Sequence, residues 1–149
     1  MLKLSPTDYA SLRRHGEQSY PHECCGILIG TRERDTRTVL TTIRCNNISE
    51  SPHTRYHIDP RELIHAQGEA HDRGLDIVGF YHSHPDHPAQ CSPTDLEQAH
   101  WIGCSYVITS VNSSKAIQTN SYVLSGSTEE DKSLVNEEMV VEEAGAILR

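Results

Sequence analysis

The chain has 149 residues and a mass of 16.7 kDa, the size of one ordinary domain, which leaves little material for a second independent core. Thirteen Lys plus Arg against twenty-one Asp plus Glu give a net charge of −8, a sign that repels phosphate backbones and acidic lipid surfaces and so argues against nucleic-acid binding. No stretch approaches the roughly 18–20 apolar residues of a membrane span, and the N-terminus turns polar too soon for a signal peptide.

Five cysteines, an odd number with Cys24 and Cys25 adjacent, suit reduced thiols in a cytoplasmic protein, and no structural disulfide is expected. Hydrophobic residues make up 36% with only six Tyr, one Trp and one Phe, so the core is to be built from Ile, Leu, Val and Ala.

In chain order, Ser5 as cap, Pro6 at the first helical position and Asp8 as the acid of a capping box start a helix that Pro21 closes. Cys24 to Ile29 reads as a short buried strand, and Thr38 to Arg44 as a β-branched strand joined to it by a charged turn, giving a hairpin. A polar loop from Asn46 to Thr54 and an extended piece at Tyr56 to Ile58 follow. Asp59-Pro60-Arg61-Glu62 repeats the helix-start signature, and Gly74 stops a helix predicted from Pro60 to Arg73. Asp76 to His82 reads as an inner strand, Ser83 to Cys91 as a loop and Pro93 to Trp101 as a helix. Ser105 to Thr109 and Ala116 to Leu124 read as further strands, so the order α, ββ, α, β, α, ββ predicts a mixed sheet with helices around it.

Residues 125–149 carry seven acids against Lys132 and Arg149, a net −5, and hold neither His nor Cys. That segment reads as an acidic tail with a short strand at Met139 to Val141 or a docked helix, and chemistry is assigned to residues 1–124.

The informative stretch is Gly79-Phe80-Tyr81-His82-Ser83-His84-Pro85. Side chains two apart on a strand point the same way, so His82 and His84 can aim both imidazoles at one point. Such a pair needs a third ligand to signify a metal. Asp95, separated from His84 by ten residues and in the first turn of the next helix, offers one. Two His and one carboxylate with a fourth position open to water is the donor set of a catalytic zinc site, whereas a structural site is closed by four protein ligands. The tetrapeptide Ser-Pro-Thr-Asp at residues 92–95 also occurs at residues 5–8, where capping explains it fully, so the signal lies in the upstream histidines. A base to take a proton from water is wanted outside the ligand set, and Glu23, just before an apolar strand, is the candidate.

Glu23 in Pro21-His22-Glu23-Cys24-Cys25-Gly26, then His82-Ser83-His84-Pro85, then Ser92-Pro93-Thr94-Asp95, resembles the JAMM (MPN+) metallopeptidase family, in its compact prokaryotic form. The match is complete at each motif position, and the likeness in layout covers residues 1–124, including the Tyr56-His57-Ile58-Asp59-Pro60 approach to the second helix. The resemblance implies an α/β fold with a mixed central sheet flanked by helices, of the cytidine-deaminase-like JAMM/MPN architecture. It implies a domain at 1–124, with 125–149 an acidic tail packed on or extending it.

It implies one zinc per chain held by His82, His84 and Asp95, with Glu23 activating water and Ser92 steadying the tetrahedral intermediate. The activity implied is hydrolysis of an amide bond at the glycine-rich C-terminal tail of a ubiquitin-like or sulfur-carrier protein. The short chain, with little room to grip a modified lysine, favours cleavage of a carrier joined to cysteine or a short extension over a deubiquitinase-like lysine isopeptidase. A noncatalytic MPN scaffold is the alternative from another class, and retention of all five motif residues argues against it.

The letters His82-Ser83-His84-Pro85-Asp86-His87 also fit the HxHxDH signature of metallo-β-lactamases, but only His100 follows, too few ligands for two metals; Asp86 and His87 are expected in a loop near the site. A zinc nucleoside deaminase would need His-x-Glu and Pro-Cys-x-x-Cys, which do not occur. Cys91 is expected beside the site, and Cys24, Cys25 and Cys45 in core or strand positions. His15, His22, His53, His57, His65, His71 and His100 read as surface or partly buried residues.

Overall fold

A computed structural model describes residues 1–143 as β1 (Leu2–Leu4), α1 (Pro6–Ser19), β2 (Cys25–Glu33), β3 (Thr36–Cys45), α2 (Pro60–Asp72), β4 (Asp76–Pro85), α3 (Pro93–Gln98), β5 (Ser105–Asn112), β6 (Lys115–Ser125), β7 (Ser133–Glu137) and β8 (Met139–Val141). The part of the acidic tail at 144–149 lies outside the described residues. The strands make one mixed sheet in the order β7-β6-β5-β4-β2-β3-β1-β8. β4 and β5 run parallel, as do β1 with β3 and β1 with β8; the other neighbours are antiparallel.

Both long helices start where their caps dictate. Ser5 accepts from the Asp8 amide and Asp59 from the Arg61 amide, each with proline in the first turn. α1 lays Leu12 and Gly16 on one face of the sheet, over a cluster that includes Leu28, Val39, Val78, Tyr81 and Val107. α2 lays Leu63, Ala66 and Ala70, spaced as one helical stripe, on the other face over Ile27, Ile29, Phe80 and Tyr106.

A bulge decides which face carries the histidines. Leu28 pairs with Gly79 but Ile29 with Ile77, so Val78 is an extra residue on β4. Beyond it the alternation runs Phe80, His82, His84 on the α2 side and Tyr81, Ser83 on the α1 side, consistent with Ser83 lying against Gly16 of α1.

The observed order adds β1 and β7 to the predicted elements. β1 is three residues, too short for periodicity to signal, yet Leu2 and Leu4 are wholly buried. β7 reads as polar because it is a half-exposed edge, paired among the described residues with β6 alone. β4 continues through the predicted loop start at Ser83 to Pro85, since its parallel neighbour keeps pairing as far as Pro85 with Val111. α3 stops at Gln98, short of Trp101, whose ring instead meets Phe80 edge-on at 5.3 Å. Among the described residues, no helix is long and apolar enough to cross a membrane.

Candidate metal centre

His82 and His84 sit near the carboxyl end of β4, both buried. Asp95 enters from α3, whose start is fixed by a complete capping box: the Asp95 amide donates to Ser92 Oγ at 3.0 Å, and the Ser92 amide donates to Asp95 Oδ2 at 2.9 Å. The box turns the carboxylate back over the strand end. His82 Nε2 then lies 3.1 Å from Asp95 Oδ1, His84 Nε2 3.1 Å from Asp95 Oδ2, and the two Nε2 atoms 3.3 Å apart. Among the described residues these three form the group of side chains that could hold a metal ion.

The spacing fits zinc. Four donors at about 2.0–2.1 Å around a tetrahedral ion stand about 3.3 Å from one another. The tautomer fits as well. His84 Nδ1 lies 2.8 Å from the Pro88 carbonyl, which holds a proton on that nitrogen and makes Nε2 the atom that would take an ion. His82 has no such tie: its Nδ1 is buried without a hydrogen-bond partner among the described residues, and its ring is instead stacked on Tyr56, centroids 4.5 Å apart and planes 24° from parallel.

Electrostatics keep the Asp95 carboxylate ionised. Burial alone would raise the Asp95 carboxyl, but hydrogen bonds from both imidazoles and the Ser92 amide hold it well below the usual carboxylate range. Burial holds the His82 imidazole below its ordinary value despite Asp95. At His84 burial pulls down as well, but the hydrogen bonds to Asp95 and Pro88 outweigh it and raise that ring.

Glu23 stands two residues ahead of β2, which runs antiparallel to β4, so it arrives at the same end of the sheet. It is buried, Oε1 has no partner among the described residues, and burial pushes its carboxyl up to about 8. It shares with His84 and Ser92 the wall of a cavity of about 360 Å³, which His87 and Cys91 also line. All five residues singled out from the sequence thus come together.

Asp86 points elsewhere, accepting from the Tyr20 hydroxyl at 2.6 Å and the Ser113 amide. Cys24, Cys25 and Cys45 are buried. Sequence reasoning missed the Tyr56 ring and the Pro88 carbonyl. Tyr56 sits in the quoted approach to α2, but nothing in the letters aims it at His82.

Comparison with known proteins fits this geometry. The family described as prokaryotic homologs of the JAB domain matches residues 7–124. A desampylase of Haloferax volcanii is 40% identical over 90 residues, 60% of this chain and 63% of that protein. A probable TtuB-protein conjugate cleaving protease of Thermus thermophilus is 37% identical over 89 residues, 60% of this chain and 57% of that protein. The chain therefore spans less than two thirds of either curated relative. A solved JAB1/MPN domain protein of Archaeoglobus fulgidus superposes with a TM-score of 0.60 over 95% of this chain and 99% of its own, at 17% identity, a likeness of fold alone.

Proposed function

The chain belongs to the prokaryotic homologs of the JAB domain, a JAMM-type family, and from that premise we propose that it is a zinc-dependent hydrolase of amide bonds at the C-terminal tail of a ubiquitin-like or sulfur-carrier protein. The observation that carries the reading is the convergence of the His82, His84 and Asp95 donor atoms beside a buried carboxylate with an unpartnered oxygen.

His82, His84 and Asp95 would hold the ion. Zinc bound by two imidazoles and a carboxylate supplies Lewis acidity, acidifying water to a pKa of about 7 and polarising an amide carbonyl. Glu23 would take a proton from water on its free Oε1 and return it to the leaving amine nitrogen. Ser92 spends one lone pair of Oγ on the Asp95 amide, which leaves its O–H hydrogen to donate to the developing oxyanion.

The catalytic unit proposed is 1–124, with the following strands completing the same domain, and the setting is the cytoplasm, whose reducing poise suits free cysteines. The substrate tail is proposed to lie extended along residues 47–58, where main-chain pairing sets register, next to an apolar cavity of about 410 Å³ walled by Tyr56, Ile58, Leu63, Phe80 and Trp101.

Two leaving groups are in play. One is a cysteine or peptide extension of the carrier; the other, in keeping with the relative named for cleaving TtuB-protein conjugates, is a second protein, represented by a lysine amine. The test offers a ubiquitin-like carrier ending in Gly-Gly in two forms, extended by cysteine or joined to a lysine ε-amine, with zinc or with a chelator, and weighs the products by mass spectrometry. Zinc-dependent release of the intact carrier from either form supports the proposal and identifies the leaving group. Release that survives the chelator, or none from both forms, refutes it.

A further inference from the structure

The geometry points to Asn47 as the positioning residue that locks Glu23 and His82 into one arrangement, an assignment that rests on the function proposed above. Its side-chain amide uses its whole hydrogen-bonding capacity, two donors and two acceptor sites. Nδ2 donates to the Glu23 carbonyl and to the Arg55 carbonyl, each at 3.0 Å, and Oδ1 accepts from the Ser49 and His57 amides, each at 3.0 Å.

These partners fall on two sides. Residues 55 and 57 flank Tyr56, whose ring stacks on His82, an imidazole with no hydrogen-bond partner of its own at Nδ1 among the described residues. Glu23 is gripped at both main-chain polar atoms by the same loop, its carbonyl by Asn47 and its amide by the Pro52 carbonyl at 2.7 Å. Asn47 touches no reacting group. It fixes the backbone under the proton carrier and the ring that orients a ligand, so that losing it displaces both together. Its neighbour Asn46 is tied to Glu62 and to neither side, which makes it the internal control.

The experiment compares Asn47→Ala, Asn47→Asp and Asn46→Ala with the native sequence in two measurements. Turnover is read on a Gly-Gly-tailed ubiquitin-like carrier with a short C-terminal peptide extension, in the zinc-loaded protein. Amide hydrogen exchange is read residue by residue in the metal-free protein. Asn47→Ala is expected to lower kcat about 10- to 100-fold with zinc stoichiometry kept, because a displaced proton carrier slows chemistry, and to raise KM as well, because the same loop is proposed to seat the substrate tail.

The Glu23 and His57 amides should then exchange at least about tenfold faster while Leu28 and Val107 stay protected. Asn47→Asp keeps the acceptor and loses the donors, so Glu23 should be freed and His57 should stay protected. Asn46→Ala should match the native protein in both. Unchanged Glu23 exchange in both Asn47 variants, or a loss borne by KM with kcat intact, overturns the assignment. Should Asn47→Ala not fold, Asn47→Asp decides alone. No turnover by the native protein would sink the proposed function, and the exchange pattern would still decide the role of Asn47.

Discussion

One carboxylate serves two purposes at Asp95. Oδ2 closes the capping box of α3 through the Ser92 amide and also faces His84, while Oδ1 faces His82. Removing it should therefore do more than removing a histidine. Asp95→Ala and His84→Ala are both expected to abolish zinc binding and turnover, read by metal analysis and assay. Only Asp95→Ala should also cost about 1 kcal/mol of stability for the lost cap. Glu23→Gln should keep its zinc and lose about 10²- to 10⁴-fold in kcat, since the proposed proton carrier lies outside the donor set; equal zinc loss in Glu23→Gln and His84→Ala would refute the division of roles. Ser92→Ala removes the cap acceptor and the proposed oxyanion donor, so about 10²-fold in kcat and about 1 kcal/mol should go together. Ser92→Thr, which keeps the hydroxyl, should recover most of both.

At the scale of elements, the α1 packing against β4 carries a pH-dependent term on the sheet face opposite the candidate metal centre. His15 Nδ1 lies 2.7 Å from the Tyr81 hydroxyl, and burial, aided by the nearby Arg44 charge, lowers its imidazole to about 4. The folded chain refuses a proton that the unfolded chain accepts near pH 6.5. Stability is full above that pH and is lost as pH falls towards 4. Allowing for the partial exposure of the ring, the loss amounts to about 1–2 kcal/mol. Chemical denaturation across that window should give a flatter profile in His15→Gln; an identical slope would show that other groups carry it. Tyr81 is held from its other side as well, because a Cβ on Gly26 would stand 2.0 Å from the ring, inside any tolerable contact. The glycine after Cys25 is thus a packing requirement of the strand that leads from Glu23.

Across the whole molecule, the two edges of the sheet meet. β7 and β8 are the outermost strands on opposite sides, yet Glu138 alone separates them, a gap that about 7 Å of chain can span. The sheet must curl for this to close, and the closure is fastened by Glu137. Its carboxylate, nearly buried, takes Arg37 of β3 at 2.6 Å, Ser105 of β5 at 2.6 Å and Ser121 of β6 at 2.8 Å. Glu137→Ala leaves the buried Arg37 guanidinium without its counter-charge, an expected cost of about 3–5 kcal/mol and about 10 °C in Tm. The fastening lies at the far end of the sheet from the candidate metal centre, since Ser105 pairs with Gly79 whereas His84 pairs with Ser110. Zinc content of Glu137→Ala should accordingly be unchanged below its melting temperature.

Local chemistry alone determined much of this. The proline-led caps at Ser5 and Asp59 set both long helices, the charged stretch Thr31 to Arg37, whose middle residues Arg34 and Asp35 make the turn, marked the hairpin, and the spacing of His82, His84 and Asp95 marked a donor set, because each depends on residues near one another in the chain. What needed the folded chain depends on neighbours far apart. The continuation of β4 past Ser83 came from a parallel partner, and the face shared by the two histidines came from a bulge forced by register with β2. Tyr56 met His82, and Glu137 closed the sheet, only once strands distant in sequence lay side by side. A short polar edge such as β7 carries no periodicity of its own; its strand conformation is given by the hydrogen bonds of the strand it joins.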